Sequence, residues 1–137
     1  MGLLKHGILP LFALLHGYLA FTIFLDKEAA FRGFGWPALD ETPLPSPTLH
    51  LMGCLGATEV ILSVNCLAGI FLENSHYRGM VLLLEWLFHV MDLLDSKRHG
   101  LPAEALWVLV ALASVGLLVH ANEPGIFTKD KTKTKAS

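Results

Sequence analysis

Charge is what this chain of 137 residues has least of: only 16% are Asp, Glu, Lys or Arg, where a soluble domain carries about a quarter. Hydrophobic residues make up 53% of the chain and the mean hydropathy is +0.54, so the shortage points to a membrane. The net charge is −2 and the pI about 6.4, which removes the basic surface that nucleic acid requires. No Gly-rich loop of the Walker or Rossmann type is present, so nothing is set up to cradle a nucleotide phosphate. There are two cysteines, Cys54 and Cys66, and no CxxC, so there is no redox or zinc-ribbon signature. On one helix they stand about 18 Å apart, too far to bridge, and they read as small buried hydrophobes. No N-x-S/T acceptor is present either.

What the chain does have is four apolar runs, about 8–25, 49–71, 79–94 and 102–119. Each is near the roughly 17–25 residues needed to cross hydrocarbon, the third at the short end. The first lacks formal charge and is too long for a signal-peptide core. Pro10 and Pro102 suit first helical turns. The pattern predicts an all-α fold, a four-helix transmembrane bundle spanning 1–125, followed by a disordered Lys-rich cytosolic tail over 126–137.

The longest connection, 26–48, is charged at first, then carries FGWP at 34–37 and three prolines between 43 and 47. Trp36 reads as an interfacial anchor. With Phe31 and Phe34 it could instead form part of a lid over a pocket mouth. Glu73–Arg78 and Asp95–Gly100 read as tight polar turns. With both termini cytosolic, that side carries Lys5, Arg78 and Lys129, Lys131, Lys133 and Lys135, a small positive-inside bias. The closing KTKAS matches a dilysine retrieval signal (Lys133, Lys135), which predicts the endoplasmic reticulum membrane.

Ionisable groups interrupt three of the runs. A carboxylate or imidazole at mid-bilayer is costly unless paired, neutralised or wetted, so it should face the bundle interior. The first run has His16 near its middle, the second Glu59, the third Glu85 and His89, and the fourth only Ser114. Glu85 and His89 are i,i+4 neighbours, with Asp92 on the same stripe about 10 Å further along. Glu59 shares a stripe with Gly56, Ser63 and Cys66. Local pairing would satisfy each group: Glu85 with His89, and Glu59 with His16 or Ser63.

The set taken together exceeds what register requires and predicts acid–base chemistry on a lipophilic substrate. Glu59 and Glu85 are the expected acid and base, His89 the relay and Asp92 the charge-balancing group. His16, Ser63 and Trp86 are expected substrate contacts. Glu-x3-His is a weak metal signature and no ExxH pair repeats, so no metal and no cofactor is expected. The expected partners are the lipid bilayer, the lipophilic small molecule and other membrane biosynthetic enzymes. A non-catalytic scaffold tethering such enzymes is the alternative of a different class.

FRGFGWP (31–37), GCLGATEVILSVNCLAG (53–69) and DLLDSKRHG (92–100) together resemble an uncharacterised family of small four-helix membrane proteins related to DoxX. EPGIFTKDK (123–131) looks like fungal-type members. LENSHY (72–77), followed by a helix with an internal His, bears a fainter likeness to the small scaffold of the sterol C-4 demethylation complex in the endoplasmic reticulum. The first resemblance implies modification of a polyketide or terpenoid secondary metabolite within the membrane.

Overall fold

The computed structural model of the protein describes residues 2–34 and 43–122, and every element in them is helical. Trp36, the lysines of the tail and residues 35–42 lie outside the described residues, and with them the anchor and retrieval expectations. The elements are α1 (Leu4–Leu25), the short α2 (Lys27–Gly33), α3 (Ser46–Phe71), α4 (Ser75–Arg98) and α5 (Glu104–Ala121).

Helix ends follow capping chemistry more than hydropathy. α4 is longer at both ends than its apolar run because Asn74 Oδ1 accepts the Tyr77 N–H at its start. At its far end the N–H of Leu101 reaches Ser96 O and that of Gly100 reaches Lys97 O, a Schellman closure. It turns on Gly100 at φ +66°, a left-handed conformation open to a residue without Cβ. Asp95–Arg98, read from sequence as a turn, is therefore the last turn of the helix. The extra helix α2 has a similar origin: Asp26 Oδ1 accepts from the N–H groups of Glu28 and Ala29. Arg32 then pairs with Glu28 one turn away.

α1 starts earlier than expected and runs through Pro10. A proline inside a helix removes one hydrogen bond and crowds the carbonyl four residues back. The chain accommodates it by widening: Leu4–Ile8 is π-helical, and the Leu9 N–H donates to Leu4 O, five residues back.

α1 packs chiefly on α3, α3 also contacts α4, α4 packs on α5, and α5 returns to the start of α1. The four long helices thus form a ring in chain order, with α1 and α4 diagonal. Among the described residues those two approach only through side chains. Small residues set the spacing: a Cβ on Gly56 would lie 2.9 Å from Ile23 Cγ2, and one on Gly116 would lie 2.8 Å from Leu82 Cδ2. The main core gathers Leu4, Ile8, Leu9, Phe12, Leu82 and Ala113. A second core at the α2 end joins Ile23, Phe31, Leu44 and Met52.

The outside is apolar. Leu11, Leu14, Tyr18, Phe21 and Leu25 project from α1, and Leu51, Ile61, Val64 and Phe71 from α3. α1, α3 and α5 are long and apolar enough to cross a membrane, the structure of a membrane protein. α4 has 24 residues, enough length, but it is not among those three: Arg78, Glu85, Asp92, Asp95, Lys97 and Arg98 make it too polar. The expected set of four crossings thus has three members by composition, and α4 is held by what it packs against.

Candidate functional site

Polar residues converge at mid-height in the bundle. His16, Glu59 and Glu85 each sit close to the midpoint of their helices. They are respectively 0%, 4% and 0% exposed, and His89 is 3% exposed. His16 is the hub: its Nδ1 hydrogen-bonds Glu59 Oε2 at 2.5 Å and its Nε2 hydrogen-bonds Glu85 Oε2 at 2.8 Å. One imidazole therefore ties α1 to α3 on one edge and to the diagonal helix α4 on the other. Bound on both sides, the ring is held against rotation.

Glu85 is also held twice. Its Oε1 accepts the Cys66 thiol at 3.2 Å, leaving Oε2 to His16 and, at 3.5 Å, to His89 Nε2. The last distance is an ion-pair contact too long for a hydrogen bond. Neither nitrogen of His89 has a hydrogen-bond partner. The ring is fixed by stacking, with its centroid 5.6 Å from those of both Phe12 and His16. Phe88 closes edge-on against both imidazoles.

His16, Glu59, Glu85 and His89, picked out by sequence, thus form one assembly. Three other candidates do not join it. Asp92 is exposed. The buried seam of α4 runs Arg78, Leu82, Glu85, His89, Leu93, Ser96, and its four-residue step after His89 gives the inward place to Leu93. Asp92, expected as the charge-balancing group, consequently lies outside the hydrogen-bonded assembly. Ser63 donates its hydroxyl to the Ala13 carbonyl at 2.8 Å, so its proton is committed to backbone. Trp86 turns to α5, where its Nε1–H donates to Ser114 Oγ at 2.9 Å and that hydroxyl donates to Val110 O. The expected pairing of Glu85 with His89 by a hydrogen bond is replaced by the bond to His16, which reaches Glu85 at shorter range from across the bundle.

Two members were missed. Cys66, read as a small hydrophobe, is the thiol donor to Glu85, and its place on the Glu59 stripe was the available signal. Phe12 lies one turn before His16 and stacks on both imidazoles.

Phe31 does not lie over this assembly but is buried in the second core, with Phe34 packed against it. The ends of α1 and α2 there enclose an open cleft of about 390 Å³ lined by Tyr18, Thr22, Asp26, Ala30 and Phe34. Ligand atoms of His16, Glu85 and His89 lie within 4.8 Å of one another, the one such three-residue group of potential metal ligands among the described residues. No family model, curated protein or solved structure matches the chain.

Proposed function

We propose that this protein acts within the membrane on a lipophilic metabolite of the polyketide or terpenoid kind, by proton transfer that isomerises, cyclises or opens an epoxide. One observation carries the reading: His16 joins Glu59 and Glu85 through its two ring nitrogens in a buried interior. Each hydrogen bond needs one proton, so the three groups share two. Whether these sit as imidazolium with two carboxylates or as neutral imidazole with one carboxylic acid, the net charge of the three is −1. A proton can therefore pass between nitrogen and oxygen without creating new buried charge, the costly event in such a medium.

In this mechanism one carboxylic acid delivers its proton to the substrate and the other carboxylate removes one from it. Substrate leaves with as many protons as it brought. The three groups then hold as many protons as before, displaced from one carboxyl to the other. His16, held against rotation, cannot take a second proton on the nitrogen that already bears one, so a water entering the site would complete the cycle by exchanging a proton with each carboxyl. His89, Phe12 and Phe88 supply the apolar, stacked wall.

In the same reading α4 is a fourth crossing, the lysine-bearing ends face the cytosol, the home is the endoplasmic reticulum membrane, and kinship is with the DoxX-related proteins. The test is deletion in the source organism, with untargeted metabolite profiling, beside Glu59→Gln and Glu85→Gln at normal protein levels. One lipophilic intermediate should accumulate in all three strains. A full product profile from both carboxamide variants would sink the enzyme reading. The second reading, a scaffold for biosynthetic enzymes, draws on Tyr77–Asn65, Trp86–Ser114 and Ser63–Ala13, polar contacts between helices that serve packing alone. It expects the carboxamide variants to be silent and changes in loops or tail to abolish product.

A further inference from the structure

The geometry points to a site for one divalent first-row transition ion, zinc or ferrous iron, on His16 Nε2, Glu85 Oε2 and His89 Nε2. It goes beyond the acid–base reading and stands without it.

The first support is His89. A buried imidazole ordinarily hydrogen-bonds through at least one nitrogen, because leaving both unmatched costs free energy. Here both nitrogens are unmatched at 3% exposure, and Nε2 is directed at the Glu85 oxygen that His16 also uses. An ion at that point would give His89 the partner it lacks.

The second is distance. Two ligand atoms on a tetrahedral ion, with bonds near 2.1 Å, stand about 3.4 Å apart. His89 Nε2 and Glu85 Oε2 are 3.5 Å apart. His16 Nε2 and Glu85 Oε2, at 2.8 Å, hold a proton between them now, and would part by about half an ångström to admit metal in its place.

The third is the surrounding support. Metal-bound histidines characteristically donate their other N–H to a carboxylate, which fixes the tautomer. Glu59 does this for His16, since Nδ1–H on Glu59 leaves the Nε2 lone pair directed inward. Glu85 has its second oxygen held by Cys66, which leaves Oε2 as a single-point ligand.

The fourth is charge. Replacing the proton between His16 and Glu85 by a divalent cation leaves two carboxylates, two neutral imidazoles and a charge of +2. The assembly becomes neutral, where the hydrogen-bonded form carries −1. In a low-dielectric interior that favours a divalent over a monovalent ion. Two imidazoles with one carboxylate suit zinc or iron better than magnesium or calcium, which take oxygen. Such a set leaves at least one coordination position for water or for an oxygen of the lipophilic compound.

The test uses the full chain purified in detergent micelles, stripped with chelator and titrated with Co²⁺ as the spectroscopic probe. One equivalent should bind, with visible ligand-field bands, and X-ray absorption at the cobalt edge should show two imidazole nitrogens plus oxygen. His89→Phe, which keeps the ring stack, should lose the bands while circular dichroism stays helical. Glu59→Gln should weaken binding about tenfold or more, the usual effect of removing an outer-shell partner. Retention of no cobalt by the wild type, a shell of oxygen alone, or equal bands in wild type and helical His89→Phe would each overturn the site. Those results leave the metabolite test untouched. A silent Glu59→Gln in metabolism with bound cobalt would instead sink acid–base turnover and keep the metal.

Discussion

His16 and His89 lie ring over ring, their centroids 5.6 Å apart and their planes 7° from parallel, yet only His16 is hydrogen-bonded. Two residues of one type, equally buried, therefore do different things. His16 holds two carboxylates from two other helices. His89 fills a slot between aromatic neighbours, and its nitrogens make no hydrogen bond.

That asymmetry predicts opposite outcomes for one substitution. His16→Phe removes the shared partner of Glu59 and Glu85 and should cost about 3–5 kcal/mol, the usual effect of stranding a buried charge. His89→Phe preserves the stack and should stay within about 1 kcal/mol of wild type. Titration with SDS from mixed micelles, followed by far-UV circular dichroism, reads both. Equal losses would show that His89 is hydrogen-bonded after all.

Cys66 is expected to behave as a donor. Cys66→Ala removes the proton given to Glu85 Oε1 and should cost about 1–3 kcal/mol, with Cys66→Ser recovering part of it through its hydroxyl. The same unfolding titration decides. If Ala and Ser are equivalent, the thiol acts only by its volume.

Gly56 and Gly17 lie at the α1–α3 contact but differ in room. An alanine methyl at 56 would come within 2.9 Å of Ile23 Cγ2, while at 17 it would sit 3.4 Å from Ser63 Oγ. Gly56→Ala should therefore cost about 1–3 kcal/mol by forcing the helices apart. Gly17→Ala should be nearly neutral. Thermal melts in detergent separate the two.

Asp92→Asn should be silent. The side chain is exposed and outside the hydrogen-bonded assembly, so its stability should stay within about 0.5 kcal/mol and its metabolite profile should match wild type. An accumulated intermediate in this variant would restore Asp92 to the site.

The all-helical class was legible because it rests on hydropathy and run length, which sequence carries directly. So was the convergence of His16, Glu59 and Glu85, since antiparallel helices of similar length bring their midpoints to one level. Partner choice was legible in part. His16 was one of the two partners offered for Glu59, and that pair is present. Neighbours at i,i+4 invite a Glu85–His89 hydrogen bond, but His16 reaches Glu85 from the diagonal helix instead. Asp92 was misplaced for a related reason. Its seven-residue spacing from Glu85 puts it near the same stripe, but small rotations at the edge of a seam decide exposure, and Leu93 takes the inward place. α2 was hidden because Asp26 marks a helix start only when the residues after it find something to lean on, here Ile23 and Met52 against Phe31.

The polarity of α4 bears on how the chain is made. A segment carrying Arg78, Glu85, Asp92 and Asp95 is a poor candidate for lateral release into lipid by itself during synthesis. α1 and α3 emerge first, and their His16–Glu59 contact would already be waiting. On the proposed reading in which α4 is a fourth crossing, the early hairpin would act as an intramolecular receptor against which the polar helix enters the bilayer. Disabling His16 should therefore appear first as misinserted, rapidly degraded protein in cells, before any folded product exists to assay.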